Sequence, residues 1–309
     1  MRTAFVKALI EIASKDPRIN LITGDLGFGV LEDFARQFPN QYLNPGVAEQ
    51  NMAGLATGMA LSGKIVFTYS IANFPTLRCI EQLRNDVCYH DANVKVVSVG
   101  GGFAYGALGI SHHATEDIAI MRALPNMMVI APGDPAEAYA ATRLIARHTG
   151  PCYLRLGKAG EPIVHASPPE FRIGRAIKLL DGKHFCIIST GGMLPIAVKV
   201  SSELASTGLT SRVLSMHTVK PLDVEAVSAA AHDLPLIVTL EEHSIIGGLG
   251  GAVAEVVCEL GGKRATLLRL GLPGTFSSEV GGQDHLRHTY GLSPERVKKA
   301  IFLRLEQLK

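Results

Sequence analysis

Phe5, Ala8, Leu9 and Ile12 recur at helical spacing, with Arg2, Lys7, Glu11 and Lys15 mostly between them and Asp16-Pro17 behind. The pattern predicts an amphipathic first helix stopped by the proline. Short continuous apolar runs follow at 19–23, 64–69, 94–99, 127–131 and 152–156. Runs of this length without polar alternation read as parallel strands buried on both faces. The stretches 47–62, 76–90 and 134–148 are long enough to be crossover helices, so a doubly wound sheet is expected. Residues 161–171, with Pro162, Pro168 and Pro169, show no period and read as a linker. Alternation then resumes, with strands expected at 185–190, 212–216, 236–240 and 266–270 and helices near 193–206, 223–231, 249–260 and 294–307. The expected fold class is α/β: two consecutive doubly wound, mostly parallel-sheet domains at 1–160 and 172–309.

The length of 309 residues suits two domains. With 47% hydrophobic and 19% charged residues the chain has material for buried cores, which excludes a disordered or solvating segment. A net charge of +2, no dense basic run and 6% aromatic residues argue against a nucleic-acid surface, leaving small molecules or proteins as partners. Five scattered cysteines without a C-x-x-C pair make neither a disulfide framework nor a zinc site, and a reducing cytoplasm is expected. Charges interrupt the first apolar stretch and no later run reaches about 18 apolar residues, so neither export nor membrane insertion is expected.

Two glycine runs invite a phosphate-binding reading and fail it. Gly100-Gly101-Gly102-Phe103-Ala104-Tyr105 and Gly248-Leu249-Gly250-Gly251-Ala252-Val253 both lack the last glycine of the dinucleotide fingerprint. The second reads as close packing of a helix on its sheet. His112 and His113 are adjacent, so in an extended segment their side chains diverge and a metal site is not expected. A histidine contacting substrate or capping the next helix remains on offer there. In the segment 44–60, Asn44-Pro45-Gly46-Val47-Ala48-Glu49 leads into a helix built mostly of Ala, Gly and Met. Such a helix sacrifices propensity, which is worthwhile where another backbone must come close. Glu49 opens it, either as a first-turn carboxylate stabilised by the helix dipole or as a functional acid shielded from water.

The blocks Gly24-Asp25-Leu26, Pro45 to Asn51, Tyr69 through Phe74 to Arg78 and Gln82, Ser111-His112-His113 with Glu116-Asp117, Lys220-Pro221-Leu222-Asp223, Glu241-Glu242-His243 and Gly247 to Gly250 keep the order and spacing of the C-terminal half of the transketolase family. The resemblance covers nearly the whole chain. It implies a pyrimidine-binding domain followed by a transketolase C-terminal domain, and transfer of a two-carbon ketol or acetyl unit to a sugar-type carbonyl with thiamine diphosphate. Glu49 matches the glutamate that shares a proton with the aminopyrimidine ring. Phe74 matches one of two aromatic residues stacking on that ring; the other position holds Ile71, for which Tyr69 is a compensating candidate or else a buried strand residue. Asp25 matches an acidic loop residue near the cofactor, with helix capping as its competing role. His112 matches the histidine facing the reacting oxygen, while Arg155 and Arg2 match arginines for an anionic tail, with exposed salt bridges as the alternative.

Gly100, Leu108 and Gly29 stand where sugar-phosphate transketolases carry substrate-binding histidine, aspartate and serine, so plain pentose-phosphate chemistry is not expected. A modified, nucleotide-linked or deoxygenated sugar, or a keto acid as the two-carbon donor, suits the loop. The Gly-Asp-Gly metal motif of the family is missing, since Gly24-Asp25-Leu26 and Gly133-Asp134-Pro135 both depart from it. Mg2+ and the cofactor's diphosphate are therefore expected on a separate α subunit, in an α2β2 assembly with self-association through the pyrimidine and C-terminal domains. The rival readings are the β subunit of a 2-oxo acid dehydrogenase and a non-catalytic regulatory or scaffold subunit.

Overall fold

The computed structural model describes residues 1–308, and its twelve strands form two sheets. The first contains β1 (Ile19–Thr23), β2 (Tyr42–Leu43), β3 (Ile65–Ile71), β4 (Val94–Val99), β5 (Met128–Ile130) and β6 (Cys152–Leu156). The second contains β7 (Ile177–Leu180), β8 (Phe185–Ser189), β9 (Ser211–Ser215), β11 (Leu236–Ser244) and β12 (Thr266–Leu272). The remaining strand, β10 (Thr218–Lys220), lies beyond the linker in sequence yet joins the first sheet, giving the order β10-β5-β6-β4-β3-β1-β2. It pairs antiparallel with β5, and every other pair in that sheet is parallel. The second sheet runs β12-β11-β8-β9-β7, antiparallel only at β7.

Helices cover both faces of each sheet, as buried strands require. Helices Arg2–Ala13 and Pro135–Ile145 close one face of the first sheet, while Glu49–Leu61 and Asp117–Ala123 close the other. The expected crossover helix at 76–90 is instead a 3-10 turn (Leu77–Cys79), one α turn (Ile80–Gln82) and a π-helical segment (Leu83–Cys88). Leu83, Val87 and Cys88 all face the core. Their i, i+4, i+5 spacing fits the wider π turn better than an α turn.

The two sheets are tied together around the glycine loop after β4. Glu242, near the end of β11, accepts a hydrogen bond from the Phe103 amide at 2.7 Å and is held in turn by Arg287 and Gln283. Gly102 has φ +65°, and a Cβ there would lie 2.6 Å from Glu242 Cγ, so both backbone and space demand glycine. One residue earlier on β11, Glu241 accepts the amides of Leu249 and Gly250, each at 2.7 Å, at the start of helix Leu249–Glu259. This explains the second glycine run: a Cβ on Gly248 would meet Glu241 Oε2 at 2.1 Å. Among the described residues no helix is long and apolar enough to cross a membrane.

Candidate active site

Glu49 is the first residue of its helix and is buried. Asn44 delivers it there: its side-chain amide donates to Asp25 Oδ1 at 2.9 Å, and its carbonyl accepts the Asp25 and Gly46 amides at 3.1 and 3.0 Å. This clasp joins the loop after β1 to the loop entering the helix. Asp25 has φ +56°, which asparagine and aspartate tolerate better than most residues. It therefore braces the approach to Glu49 and caps no helix, contrary to the competing expectation.

Glu49 borders a pocket of about 480 Å³ together with Val47, Ala48, Gln50, Asn51 and Arg78. Its Oε2 receives a hydrogen bond from the half-exposed Arg78 at 3.3 Å. Its Oε1 is buried and has no hydrogen-bond partner. An orphaned buried carboxyl oxygen is costly, so the site is electrostatically incomplete without a donor from outside the chain. Gly24, just after β1, lies beside the carboxyl: a Cβ there would be in ordinary contact with Glu49 Oε1 at 3.6 Å.

From Glu49 a row of side chains extends along the ends of the strands. The Arg78 guanidinium sits 4.0 Å above the Phe74 ring, and the His112 ring meets Phe74 edge-on at 5.2 Å. Asn73 fixes this juxtaposition by donating to the carbonyls of Ser111 and His113, which ties the His112 turn to the loop after β3. Burial first, and then the positive charge of Arg78, hold His112 below the usual histidine range. His112 is therefore neutral at pH 7 and able to take up or release a proton. Its neighbour His113 turns inward against Phe103, with Nε2 3.2 Å from the Gly106 carbonyl. The pair diverges as adjacent side chains should, and neither histidine caps the helix that follows, Asp117–Ala123.

Two expected site residues lie elsewhere. Tyr69 is buried in the core, stacked on Phe5 with ring centroids 5.9 Å apart, and does not compensate for Ile71 beside Phe74. Its position within the buried run Ile65 to Ser70 of β3 dictates this. Arg155 is also buried, and its guanidinium is spent on the protein itself: Nε donates to Asp117 at 2.7 Å and Nη2 to the carbonyls of Ala114 and Glu242 at 2.8 and 3.0 Å. It is neither an exposed salt bridge nor a residue of the Glu49 pocket; it cross-links the two sheets and also lines a separate cavity of about 340 Å³ with Lys158, Glu242 and Arg287. Arg2 lies beside the Tyr105 phenol, with its Nε buried and unpartnered.

The remaining site residues carried weaker signals. Arg78 appeared in a matching block without a role, and Asn44 and Asn73 were legible only as loop residues. Lys158, whose ammonium lies 4.9 Å over the Tyr105 ring, had no sequence signal at all. Among the described residues no group of three or more His, Cys, Asp or Glu side chains converges as a metal site.

The fold is thus a doubly wound pair of α/β domains, with an acid at a helix start, an aromatic ring and a histidine brought together at the strand ends of the first. Residues 1–160 match the transketolase pyrimidine-binding domain and 174–297 the transketolase C-terminal domain. The chain belongs to the transketolase family. It is 38% identical over 301 residues to one of the subunits of an apulose-4-phosphate transketolase from Phocaeicola vulgatus, covering 96% of this chain and 95% of that one. A 6-deoxy-6-sulfo-D-fructose transketolase subunit of a Clostridium species is also 38% identical over 301 residues, covering 97% and 92% respectively. Among solved structures, a split-gene transketolase described as an inactive β4 tetramer superposes with a TM-score of 0.90 at 37% identity, covering 100% of this chain and 98% of the other.

Proposed function

We propose that this chain is the pyrimidine-side subunit of a two-component, thiamine-diphosphate-dependent transketolase that moves a two-carbon unit between anionic sugar substrates. The observation that carries the reading is Glu49 Oε1, a buried carboxyl oxygen without a partner, on a residue that borders a pocket and is bonded to the Arg78 that covers Phe74. A protonated ring nitrogen, or a proton shared with one, would satisfy that oxygen, so the donor set fits an aminopyrimidine. When bound, thiamine diphosphate supplies the carbanion chemistry that carries the two-carbon unit. Glu49 would hold the shared proton at Oε1, Phe74 would offer its ring face, and neutral His112 would exchange a proton with the substrate oxygen. Asp25 acts at one remove, through Asn44, by fixing the entry to the Glu49 helix.

A second polypeptide would hold the diphosphate and Mg2+, in an α2β2 assembly working in the cytoplasm. The Glu49–Leu61 helix supports such a partner. Its inward face, Met52, Ala53, Ala56 and Thr57, is buried, whereas Gly54 and Gly58 lie on the outer face with Leu55 and Leu61 exposed. A Cβ on either glycine would meet nothing within 4 Å, so packing inside this chain does not ask for glycine there. A helix backbone approached closely by another chain does. Phe28, Val47, Leu77, Leu108 and Ile110 are exposed apolar residues of the same loops and helix ends, and add surface to be covered. The relative solved as an inactive β4 tetramer is consistent with self-association and with inactivity of this half by itself.

The test is co-production with a diphosphate-domain subunit and measurement of thiamine-diphosphate-dependent transfer from a ketose phosphate donor. The complex is expected to turn over and the isolated chain not to. Glu49→Gln is expected to abolish turnover with the assembly intact. Near-normal turnover of that variant, robust activity of the isolated chain, or acyl transfer to a lipoyl domain in place of a sugar would each overturn the reading.

A further inference from the structure

Phe103 and His113, at the two ends of the loop that carries His112, border a second cavity, of about 350 Å³, which none of Glu49, Phe74 and His112 touches. It lies between the two domains, outside the carboxyl ends of β11 and β12. Open α/β sheets bind ligands beyond that edge, and small-molecule cavities concentrate at domain boundaries. The first domain contributes Phe103, His113 and Glu116 to the lining, and the second contributes Ser244, Phe276 and Tyr290. Phe103 stacks on Tyr290 with ring centroids 5.5 Å apart and meets His113 edge-on at 5.0 Å. Phe276, 81% exposed, is a large ring left in water at this cavity.

Two acceptors in this aromatic setting lack the donors they could take. His113 is buried and its Nδ1 has no hydrogen-bond partner. Its Nε2 lies 3.2 Å from the Gly106 carbonyl, which can only accept, so Nε2 carries a hydrogen and the neutral ring leaves Nδ1 as a bare acceptor. The half-buried Glu116 carboxylate accepts the Thr115 hydroxyl at 2.9 Å and has no cationic partner among the described residues. The Tyr290 hydroxyl does not serve either acceptor, because it donates to Ser277 at 2.8 Å. Among the described residues no lysine or arginine borders the cavity. Aromatic walls, two acceptors in need of donors and no cation suit a flat ring that carries N–H groups and no phosphate.

We propose that this cavity binds a neutral or cationic amino-substituted heteroaromatic ring of the nucleobase type, which donates to His113 Nδ1 and to Glu116 and stacks against Phe276. The proposal is independent of the transferase reading. The carboxylate that attracts the ring's amino group repels an anionic sugar, so this is not a second place for the proposed substrate.

The experiment uses the isolated full chain and needs no turnover. Adenine is the probe, followed by equilibrium dialysis, and one saturable site per chain is expected. 6-Methylpurine, the same ring with a methyl group in place of the amino donor, should bind about tenfold more weakly. His113→Gln keeps an amide donor for the Gly106 carbonyl but removes the Nδ1 acceptor, and should raise the adenine dissociation constant about tenfold, as should Glu116→Gln. Phe276→Ala removes an exposed ring without opening the core and should weaken binding about fivefold, which keeps the test valid should His113→Gln fail to fold. Glu49→Gln should bind adenine as the wild type does.

No saturable binding of adenine overturns the proposal, and so does equal binding of 6-methylpurine, which would make the cavity a merely apolar slot. Unchanged affinity in Glu116→Gln and Phe276→Ala would place the adenine elsewhere and overturn it too. Loss of binding in Glu49→Gln would put the adenine in the active-site pocket, with the same consequence. Adenine binding with these variant effects, in a chain whose complex shows no thiamine-dependent turnover, would overturn the transferase reading and keep this site.

Discussion

If the proposed function holds, Arg78 stands where the aminopyrimidine would go. Its guanidinium covers Phe74 at 4.0 Å and bonds Glu49 Oε2 at 3.3 Å, so it competes with an incoming aminopyrimidine for both the ring face and the carboxyl. Half of the side chain is exposed to solvent, which limits what either contact contributes. A cation–π contact at such a site gives about 0.5 to 1 kcal/mol. The ion pair, discounted for its exposed partner, adds about 0.2 to 1 kcal/mol. Displacing the guanidinium therefore costs about 1 to 2 kcal/mol, and cofactor affinity is reduced about 5- to 30-fold below what an open site would show. Arg78→Ala should remove that competition. Calorimetric titration of thiamine diphosphate into the reconstituted complex should then show tighter binding by this factor, with the isolated variant less stable by no more than the same 1 to 2 kcal/mol. Weaker binding in the variant would refute the argument, because Arg78 would then be helping to hold the cofactor.

Other outcomes follow from the buried charges and the glycine loop. Burial pushes His217 down to about 4 from 6.5, against the stacked Phe171 ring 3.8 Å away. Its folded pKa is depressed, so the stability it allows is full above the unfolded value of about 6.5 and is lost as pH falls toward 4, by at most about 3 kcal/mol. Denaturation midpoints at pH 7.5 and 4.5 should differ less in His217→Leu than in wild type; an equal difference would count against this. Asp117→Ala leaves the buried Arg155 guanidinium uncompensated and should cost about 3 to 5 kcal/mol, read by chemical denaturation. A loss below about 1 kcal/mol would show that Arg155 finds another partner. Gly100→Ala should lower the melting temperature through its positive φ and its collision with Tyr105, and adding Tyr105→Ala should restore part of the loss. No restoration would mean that backbone strain alone is responsible.

Regular elements were legible because burial imposes a period. The runs at 19–23, 94–99 and 152–156 became β1, β4 and β6 with the same bounds, and the helices at 134–148 and 249–260 shortened by a few residues. Elements with little apolar content escaped notice. Tyr42–Leu43 has two residues, and Gln283–Thr289 buries only Leu286. The segment 76–90 was legible as helical, whereas its π turn reflects how three side chains meet a core that the sequence does not display.

The candidate site divides in the same way. Glu49, Phe74 and His112 stood out because each sits in a block with a recognisable order, and the fold brings them into one row. Arg155 was matched to a family arginine as well, outside those blocks. Its fate depended on Asp117, which approaches from a separate helix and outcompetes any external anion for the guanidinium.

By itself the amino-acid sequence determined the alternation of strands and helices, the family, and the acid that opens the small-residue helix, since these depend on local periods and on residues near one another in the chain. Tertiary structure alone decided which cations remained free to meet a ligand. Arg155 and Lys158 are three residues apart at the end of one strand, yet one is neutralised by a buried carboxylate and the other is left over a phenol ring. A charge is available or spent according to its neighbours in space, and those neighbours come from positions 2, 105, 117 and 242, which only the folded sheets bring together.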